Sequence, residues 1–366
     1  MRKAIYIVTM LSLALSMSAM PALAATSVGT GLTRDTSGGA LPLVKAKWEA
    51  NPDRYTDDSK SAGAQFTASG VYNGHKTIAL CAIVEHPEYG LDYIDNVYAD
   101  VFYPEDIKLG DSHVALPEQS GLGCGKLMQE DTLKRLSKND GLSLFCTQVQ
   151  NSNNNLPTFA EGKTSSEWYS DICKLDGQLQ KETAAVYCGE KRISYEDPSG
   201  NYKVWAVAQD KNGGQNTLEN QFTYLETTAF ETDFTSVSYG NVKLNSHKII
   251  NGDLTWDALG QGKASVRNVG NTRLAMKVTQ DDMDLGMSDG IYNVKYDARV
   301  GSGAAFANYY PFATPKLLAD ELDLSELDEM DFSVEISKFP PTNPGPGYTG
   351  DMTLTAIKRA HLSCTN

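Results

Sequence analysis

The chain contains 366 residues with a mass of 39.8 kDa, and 32 Lys and Arg against 46 Asp and Glu give a formal net charge of −14. This composition excludes a disordered chain, because 41% of the residues are hydrophobic and only 21% are charged. The acidic balance argues against a nucleic-acid partner, since phosphate contacts require a basic face. At roughly 150 residues per domain, the length predicts two or three domains.

The first 24 residues have the organisation of a secretory signal peptide. Arg2 and Lys3 give a positive start, an apolar run follows, and Ala22 and Ala24 have the small-x-small spacing of a cleavage site. A membrane anchor is the alternative interpretation of this run. No later stretch reaches the ~18 apolar residues of a membrane span. We therefore predict an extracellular protein associated with the cell envelope, with no transmembrane segment after signal cleavage.

All six cysteines follow the signal peptide: Cys81, Cys124, Cys146, Cys173, Cys188 and Cys364. An even number in an exported chain predicts three disulfide bonds, for which fifteen connectivities exist. Proximity in the sequence favours Cys124 with Cys146 and Cys173 with Cys188, which leaves Cys81 for Cys364. Free thiols are the first alternative, and a metal site is the weaker one, because the chain has no C-x-x-C motif and its histidines are scattered.

Residues 25–64 are rich in Gly, Ser, Thr and Asp, and we predict a flexible N-terminal arm there. A β-sandwich domain is predicted over residues 65–229. Its clearest strand is the uncharged run 77–84, which has the composition of a strand buried on both faces. Asn73-Gly74 precedes this run and predicts a hairpin with the alternating residues 65–72.

Residues 105–185 break the strand pattern and carry or adjoin four of the six cysteines. We predict a partly helical, disulfide-tied insertion in the first domain, with short helices within 131–138 and 167–185. Strands return after it. A Pro-Ser-Gly turn, Tyr202 and an alternating strand over 202–210 resemble the later strands of immunoglobulin-like sandwiches, in which a Tyr pins the corner before a strand. An unrelated antiparallel sheet is the alternative.

Residues 230–366 form the second predicted sandwich domain, because short alternating segments follow one another about every ten residues. Strands are predicted at 234–244, 331–336 and 351–357, and a hairpin at 264–278 with Gly270 at its bend. The predicted fold is therefore mainly β, with two tandem antiparallel immunoglobulin-like β-sandwich domains.

Two segments of the second domain carry a family resemblance. The R-N-V-G-N-T segment with its following L-x-M and V, at residues 267–278, and the Y-T-G-x-M-T-L-x-A strand, at residues 348–356, resemble secreted immunoglobulin-like β-sandwich envelope and sheath proteins of methanogenic archaea. The resemblance implies an extracellular structural protein of the sheath or surface-layer type. It carries over no catalytic residue.

The densest acidic loop holds Asp281, Asp282 and Asp284, and several converging carboxylates suit calcium. A solvated loop without metal is the alternative, and no other cofactor is expected. The five histidines lack H-E-x-x-H spacing and no G-x-S-x-G elbow occurs, so we expect no enzymatic activity.

The sequence favours a structural function. Residues 71–72, 77–84 and 301–315 combine β formers or aromatic residues with little charge, and exposed strand edges of that kind pair with neighbouring chains. The N-terminal arm is suited to add a strand to another subunit. We therefore expect copies of the chain itself and other envelope proteins as partners. The alternative is a monomeric secreted binding or adhesion module, with ligand or calcium loops at residues 151–155 or 281–289.

Overall fold

The computed structural model describes residues 39–59, 61, 63–109, 123–152, 156–341 and 347–364. The predicted signal peptide, residues 1–24, lies outside the described residues, as do residues 25–38 of the predicted arm. Residues 40–366 form one compact unit. Within it the fold is mainly β with antiparallel sheets, as the sequence predicts.

The first half of the unit contains eleven described strands: β1 (Leu43–Ala50), β2 (Gln65–Thr67), β3 (His75–Glu85), β4 (Ile94–Phe102), β5 (Ile107–Lys108), β6 (Leu127–Thr132), β7 (Lys134–Arg135), β8 (Thr158–Phe159), β9 (Ala184–Ser194), β10 (Gly200–Asp210) and β11 (Gln215–Leu225). One sheet has the order β7-β9-β3-β1-β8 and the other the order β2-β11-β10-β4-β6. All pairs in both sheets are antiparallel except β2 with β11. The two sheets share one hydrophobic core, here called the first core.

The second half contains twelve described strands: β12 (Phe230–Phe234), β13 (His247–Ile250), β14 (Gln261–Asn268), β15 (Arg273–Gln280), β16 (Met287–Ser288), β17 (Ile291–Tyr292), β18 (Val294–Val300), β19 (Ala307–Tyr309), β20 (Lys316–Leu322), β21 (Leu327–Ile336), β22 (Met352–Arg359) and β23 (Leu362–Ser363). The larger sheet has the order β12-β14-β21-β18-β19, with β13 also on β21, and the smaller sheet has the order β20-β15-β22. They enclose the second core.

The insertion is partly helical, as predicted. It contains helix α1 (Lys138–Gly141), a π-helical segment (Leu142–Val149) and helix α2 (Ser165–Cys173), and a short 3₁₀ turn (Leu91–Tyr93) precedes β4. Cys146 and Cys173 bond the π-helical segment to α2. The prediction of a helix over 131–138 is wrong, because β6 and β7 occupy half of that range and the first helix begins only after the capping residue Ser137.

Strand β1 lies inside the segment predicted to be a flexible arm, and for this strand the prediction is wrong. It pairs with β3 along its length, and Trp48 is fully buried against Phe145 of the insertion, with ring centroids 5.3 Å apart. Lys45, Lys47 and Glu49 are buried on the same strand. Three charged residues among eight made this segment look exposed, because charged side chains are seldom buried without partners.

The strand predicted at 77–84 is confirmed as the buried centre of β3, which lies between β1 and β9. Asn73 and Gly74 do form a tight turn, in which Gly74 N donates to Val71 O at 2.8 Å. The predicted hairpin is wrong, because β2 pairs with β11 and not with β3. The tyrosine corner is confirmed: the Tyr202 hydroxyl donates to Pro198 O at 2.7 Å.

The predicted hairpin at 264–278 is also wrong. Strand β14 pairs with β12 and β21, whereas β15 pairs with β20 and β22, so the loop between them crosses from one sheet to the other. Asn271 fixes this loop to the connection between the two cores: its Oδ1 accepts from Thr227 N at 2.6 Å, and its Nδ2 donates to Leu225 O at 2.8 Å. A Cβ at Gly270 would lie 2.3 Å from Thr227 O, so only glycine permits this approach.

The disulfide pairing differs from the favoured pattern. Cys81 bonds Cys188, Cys124 bonds Cys364, and Cys146 bonds Cys173, so none of the pairs favoured by sequence proximity forms. Pairing of β3 with β9 places Cys81 directly opposite Cys188. β23 pairs with β5, which brings Cys364 beside Cys124. The pairing thus follows sheet register and not sequence distance.

Candidate functional site

An open groove of about 970 Å³ runs along one side of the second core. The larger sheet and the connection that follows β12 contribute Phe230, Phe234, Val237, Tyr239 and Val242, and the smaller sheet contributes Met352 and Leu354. Several of these apolar side chains are only partly buried, although they pack against the second core. The two sheets are therefore incompletely closed on this side, and we call this surface the edge groove.

One wall of the edge groove is a strand with an unpaired side. Strand β22 pairs with β15 over all eight of its residues, and no other strand of the described chain pairs with it. Its edge is about 26 Å long at a rise of ~3.3 Å per residue. Met352, Leu354 and Ala356 face the second core, whereas Thr353 and Thr355 are exposed. A strand that lies at a sheet edge presents N–H and C=O groups that can pair with another chain.

The opposite wall is a segment that alternates like a strand and does not form one. A strand was predicted at 234–244, but β12 ends at Phe234 and the residues after it adopt no regular structure up to an isolated bridge at Leu244. Val237 and Val242 still contact the second core and line the groove. The alternation therefore reflects burial on one face without a neighbouring strand.

Tyr239 gives the groove a polar group. Tyr239 is only 8% exposed, and its ring stacks on Tyr296 with ring centroids 6.5 Å apart. Its hydroxyl is buried without a hydrogen-bond partner of good geometry among the described residues, although it lies near Gln280, whose Oε1 accepts from Tyr309 at 3.3 Å. Burial raises the pKa of Tyr239 well above its ordinary value, so the hydroxyl stays protonated and can donate.

The predicted calcium loop is organised by backbone amides. Asp281 Oδ2 accepts from Asp351 N at 2.8 Å, and Asp282 Oδ2 accepts from Gly286 N at 3.0 Å. Asp284 follows in a left-handed conformation with φ 60°. In the described part of the chain no three His, Cys, Asp or Glu side chains are grouped so as to hold a metal ion. The carboxylates of Asp281 and Asp282 thus stabilise a turn that borders the edge groove at Asp351.

The other predicted surfaces are placed differently from the prediction. Residues 77–84 lie in the middle of a sheet, and residues 71–72 lie in a turn, so neither supplies a free strand edge. Residues 301–315 contain β19, a three-residue edge strand. Of the predicted ligand loop 151–155, residues 153–155 lie outside the described part of the chain. The sequence missed β22 as the open edge, although its strand was predicted.

No family model and no curated protein matches the chain. Among solved structures, the chain is similar to the CsuC-CsuE chaperone-tip adhesion subunit pre-assembly complex from archaic chaperone-usher Csu pili of Acinetobacter baumannii, at 11% identity and a TM-score of 0.25, over 81% of this chain and 97% of that chain. A second is the C-terminal domain of the Streptococcus pyogenes antigen I/II-family protein AspA, at 13% identity and a TM-score of 0.22, over 88% and 99%.

A third is the secreted serine protease VesC from Vibrio cholerae, at 10% identity and a TM-score of 0.17, over 81% of this chain and 50% of that chain. TM-scores this low decide nothing about the function of this chain. The three disulfides fit an extracellular protein, because such bonds persist in oxidising compartments. None of the helices in the described residues has the length and apolar character needed to cross a membrane.

Proposed function

We propose that the protein is an extracellular structural protein of the cell envelope, of the sheath or surface-layer type, whose copies join through strand edges. The observation that supports this proposal is the free edge of β22 beside the edge groove. A strand added there would pair with eight backbone positions and direct alternate side chains into the groove. The protein would then have a structural role and would not catalyse a reaction.

The occupant we propose is the segment of residues 25–38 from a second copy. Residues 25–33 carry no charge, and Val28, Thr30 and Leu32 alternate with smaller residues, so an extended segment would present Val28 and Leu32 on one face. Nine extended residues span about 30 Å, which matches the length of the β22 edge. Asp351 is the only charged side chain lining the groove within the described residues, so a neutral segment suits it.

The net charge sets the conditions for such assembly. At −14 the chains repel one another, and cations or a lower pH reduce this repulsion. Burial of the partly exposed apolar side chains along the groove supplies the opposing attraction, at about 25 cal/mol per Å² of apolar surface. We therefore expect stronger association in salt.

A complementation experiment tests the proposal. One variant carries Val28→Asp and Leu32→Asp in the segment, and another carries Leu354→Lys in the groove. The wild-type chain is expected to form oligomers in light-scattering chromatography at high concentration with calcium or sodium salt. Each variant alone is expected to be monomeric. An equimolar mixture is expected to form dimers and nothing larger, because only one groove and one segment remain functional.

Thr353→Lys is the matched control, because it adds the same charge to the exposed face of the same strand. This variant is expected to assemble as the wild type does. Wild-type chains that remain monodisperse monomers at every salt concentration and pH would contradict the proposal. Oligomers that persist in the segment variant would assign the groove to a different occupant.

The alternative is a monomeric binding or adhesion module, and one observation favours it: the groove has the volume typical of small-molecule sites and holds the buried Tyr239 hydroxyl. In that case the groove binds a ligand with a hydrogen-bond acceptor. The wild type would then be monomeric, and Leu354→Lys would change ligand binding without changing the mass in solution.

A further inference from the structure

A triad of contacting side chains links the two sheets of the first sandwich, with two of its members buried and the third partly buried. Lys47 and Glu49 belong to β1, Asn220 belongs to β11, and the two strands lie in different sheets. Lys47 Nζ lies 2.7 Å from Glu49 Oε1 and contacts the side-chain carbonyl of Asn220. Asn220 Nδ2 donates to Glu49 Oε2 at 2.7 Å. One carboxylate therefore bridges an amine and an amide that already touch.

The surroundings favour a reactive amine. Lys47 and Glu49 are each only 1% exposed. Burial lowers the pKa of Lys47, because desolvation disfavours the ammonium form. Val204 O accepts from Lys47 Nζ at 3.1 Å and fixes the direction of the amine. Phe222, two residues after Asn220 on the same face of β11, is buried in the first core and helps to exclude water.

We propose that Lys47 and Asn220 form an intramolecular isopeptide bond, with Glu49 as the proton-transferring group. The neutral amine attacks Cγ of Asn220, so the Nζ–Cγ bond forms and the Cγ–Nδ2 bond breaks. One proton passes from Nζ through the Glu49 carboxylate to Nδ2, which leaves as ammonia. The product is a secondary amide, and the step needs no oxidant or second reactant.

The geometry supplies what this step needs. Amine and carboxamide are held in contact by a packed core, which replaces a collision between separate molecules. The two oxygens of Glu49 contact the attacking and the leaving nitrogen separately, so the carboxylate is placed to accept a proton from one and deliver it to the other. The reaction follows folding, because residues 47 and 220 are 173 positions apart in the sequence.

The bond would give the first sandwich a covalent link that its disulfides do not provide. Cys81–Cys188 joins two strands of one sheet, Cys146–Cys173 lies within the insertion, and Cys124–Cys364 ties the C-terminal residues to the loop after β5. None of these bonds joins β1 to β11. A Lys47–Asn220 amide would tie the two sheets together and would survive reducing conditions.

The same strand offers a matched control. Lys45 pairs with Glu85 at 2.6 Å and is also buried, but its amine lies over the Trp168 ring, 5.2 Å from the centroid, and no carboxamide contact is found for it among the described residues. Lys45→Gln therefore removes a buried lysine of β1 without touching the proposed reaction.

Intact-mass measurement of the reduced, denatured full chain, secreted from an oxidising host, tests the proposal. The wild type and Lys45→Gln are expected to be lighter than their sequences by one ammonia molecule, about 17 Da, because each amide formed expels one. Glu49→Gln is expected to show the full mass. Digestion of the wild type should yield one branched peptide that joins Lys47 to Asn220.

A wild-type chain of full mass would overturn the proposal and leave the triad as a buried ion pair. A mass deficit that maps to another asparagine, or that remains undiminished in folded Glu49→Gln, would overturn it as well. The branched peptide is read from the wild type alone, so the test holds even where Glu49→Gln fails to fold. Circular dichroism of each variant reports its folding.

Discussion

Strand β1 of the first sandwich and strand β22 of the second are both eight residues long, but they are packed in different ways. β1 lies between β3 and β8 and is buried on both faces, even where it carries charged side chains. β22 has a partner on one side only, and its inward side chains remain partly exposed. A strand with neighbours on both sides stabilises a domain, whereas a strand with one free edge is available to a partner.

The difference extends to the groups around each strand. Beside β1, a lysine, a glutamate and an asparagine satisfy one another inside the first core. Beside β22, the buried hydroxyl of Tyr239 has no partner of good geometry in the described residues. The charged groups of β1 are thus paired within the first core, whereas the edge groove leaves apolar side chains of the second core partly exposed and has room for an added element.

Equivalent truncations in the two sandwiches give the largest expected difference. Leu80 on β3 is 1% exposed, and Leu80→Ala is expected to lower the free energy of unfolding by about 2–5 kcal/mol. Leu354 on β22 borders the edge groove and is partly exposed, so Leu354→Ala leaves no closed cavity and is expected to cost roughly 1 kcal/mol. Chemical denaturation of both variants measures the two values.

This comparison uses monomeric protein at low concentration, because association would add stability to the wild type and not to the groove variant. Equal losses at the two positions would contradict the distinction between a closed and an open sandwich. A loss at Leu354 that appears only at high concentration would instead support occupation of the groove by another chain.

Removal of the Cys124–Cys364 bond is the second test. This bond and the short β5–β23 pairing attach the C-terminal residues to the first half of the chain. The double variant Cys124→Ser and Cys364→Ser is expected to destabilise the protein by about 2–4 kcal/mol, because the unfolded chain gains conformational freedom. Thermal unfolding followed by calorimetry measures it, with Cys146→Ser and Cys173→Ser as the control pair within the insertion.

The control pair closes a much shorter loop, at a separation of 27 residues against 240, so its loss is expected to cost less. If both variants unfold in a single transition and their melting temperatures fall by the same amount, attachment of the C-terminal residues adds no more stability than the bond within the insertion does. Two separate transitions in the Cys124 and Cys364 variant alone would show that this bond couples the two sandwiches.

The features that were predicted correctly are those determined by residues close to one another in the sequence. The strand around residues 77–84 was recognised because an uncharged run of β formers has no exposed alternative, and the corner at Tyr202 was recognised because its turn and strand are adjacent. In the predicted hairpin over residues 264–278, the two strands and the bend at Gly270 were placed correctly in the chain, but whether these strands pair with each other depends on distant strands. Alternation alone does not contain that information.

The sites were missed for the same reason. The open edge of β22 is defined by the absence of a neighbour, and residues 234–244 alternate as if they supplied one. Lys47 and Glu49 looked like exposed charges because their partner Asn220 lies 173 positions away. The alternation of charged and apolar residues over 45–49 was the available signal, since it has the period of a strand.

Acid–base behaviour gives the smallest expected effect and the last comparison of the two sandwiches. Glu326, between β20 and β21, is partly buried among Asp320, Asp323 and Asp328, and burial raises its pKa to about 7. A raised pKa in the folded state means that the folded chain holds this proton more tightly than the unfolded chain does. The stability that the bound proton contributes is therefore fully present below the ordinary pKa near 4.5, and it is lost as the pH rises through about 7. Burial likewise raises the pKa of Asp197 in the first sandwich to about 6.

The wild type is therefore expected to melt at a higher temperature at pH 5 than at pH 8. In Glu326→Gln this difference should shrink without vanishing, because Asp197 still titrates. A pH dependence that Glu326→Gln leaves unchanged would assign the whole effect to the first sandwich.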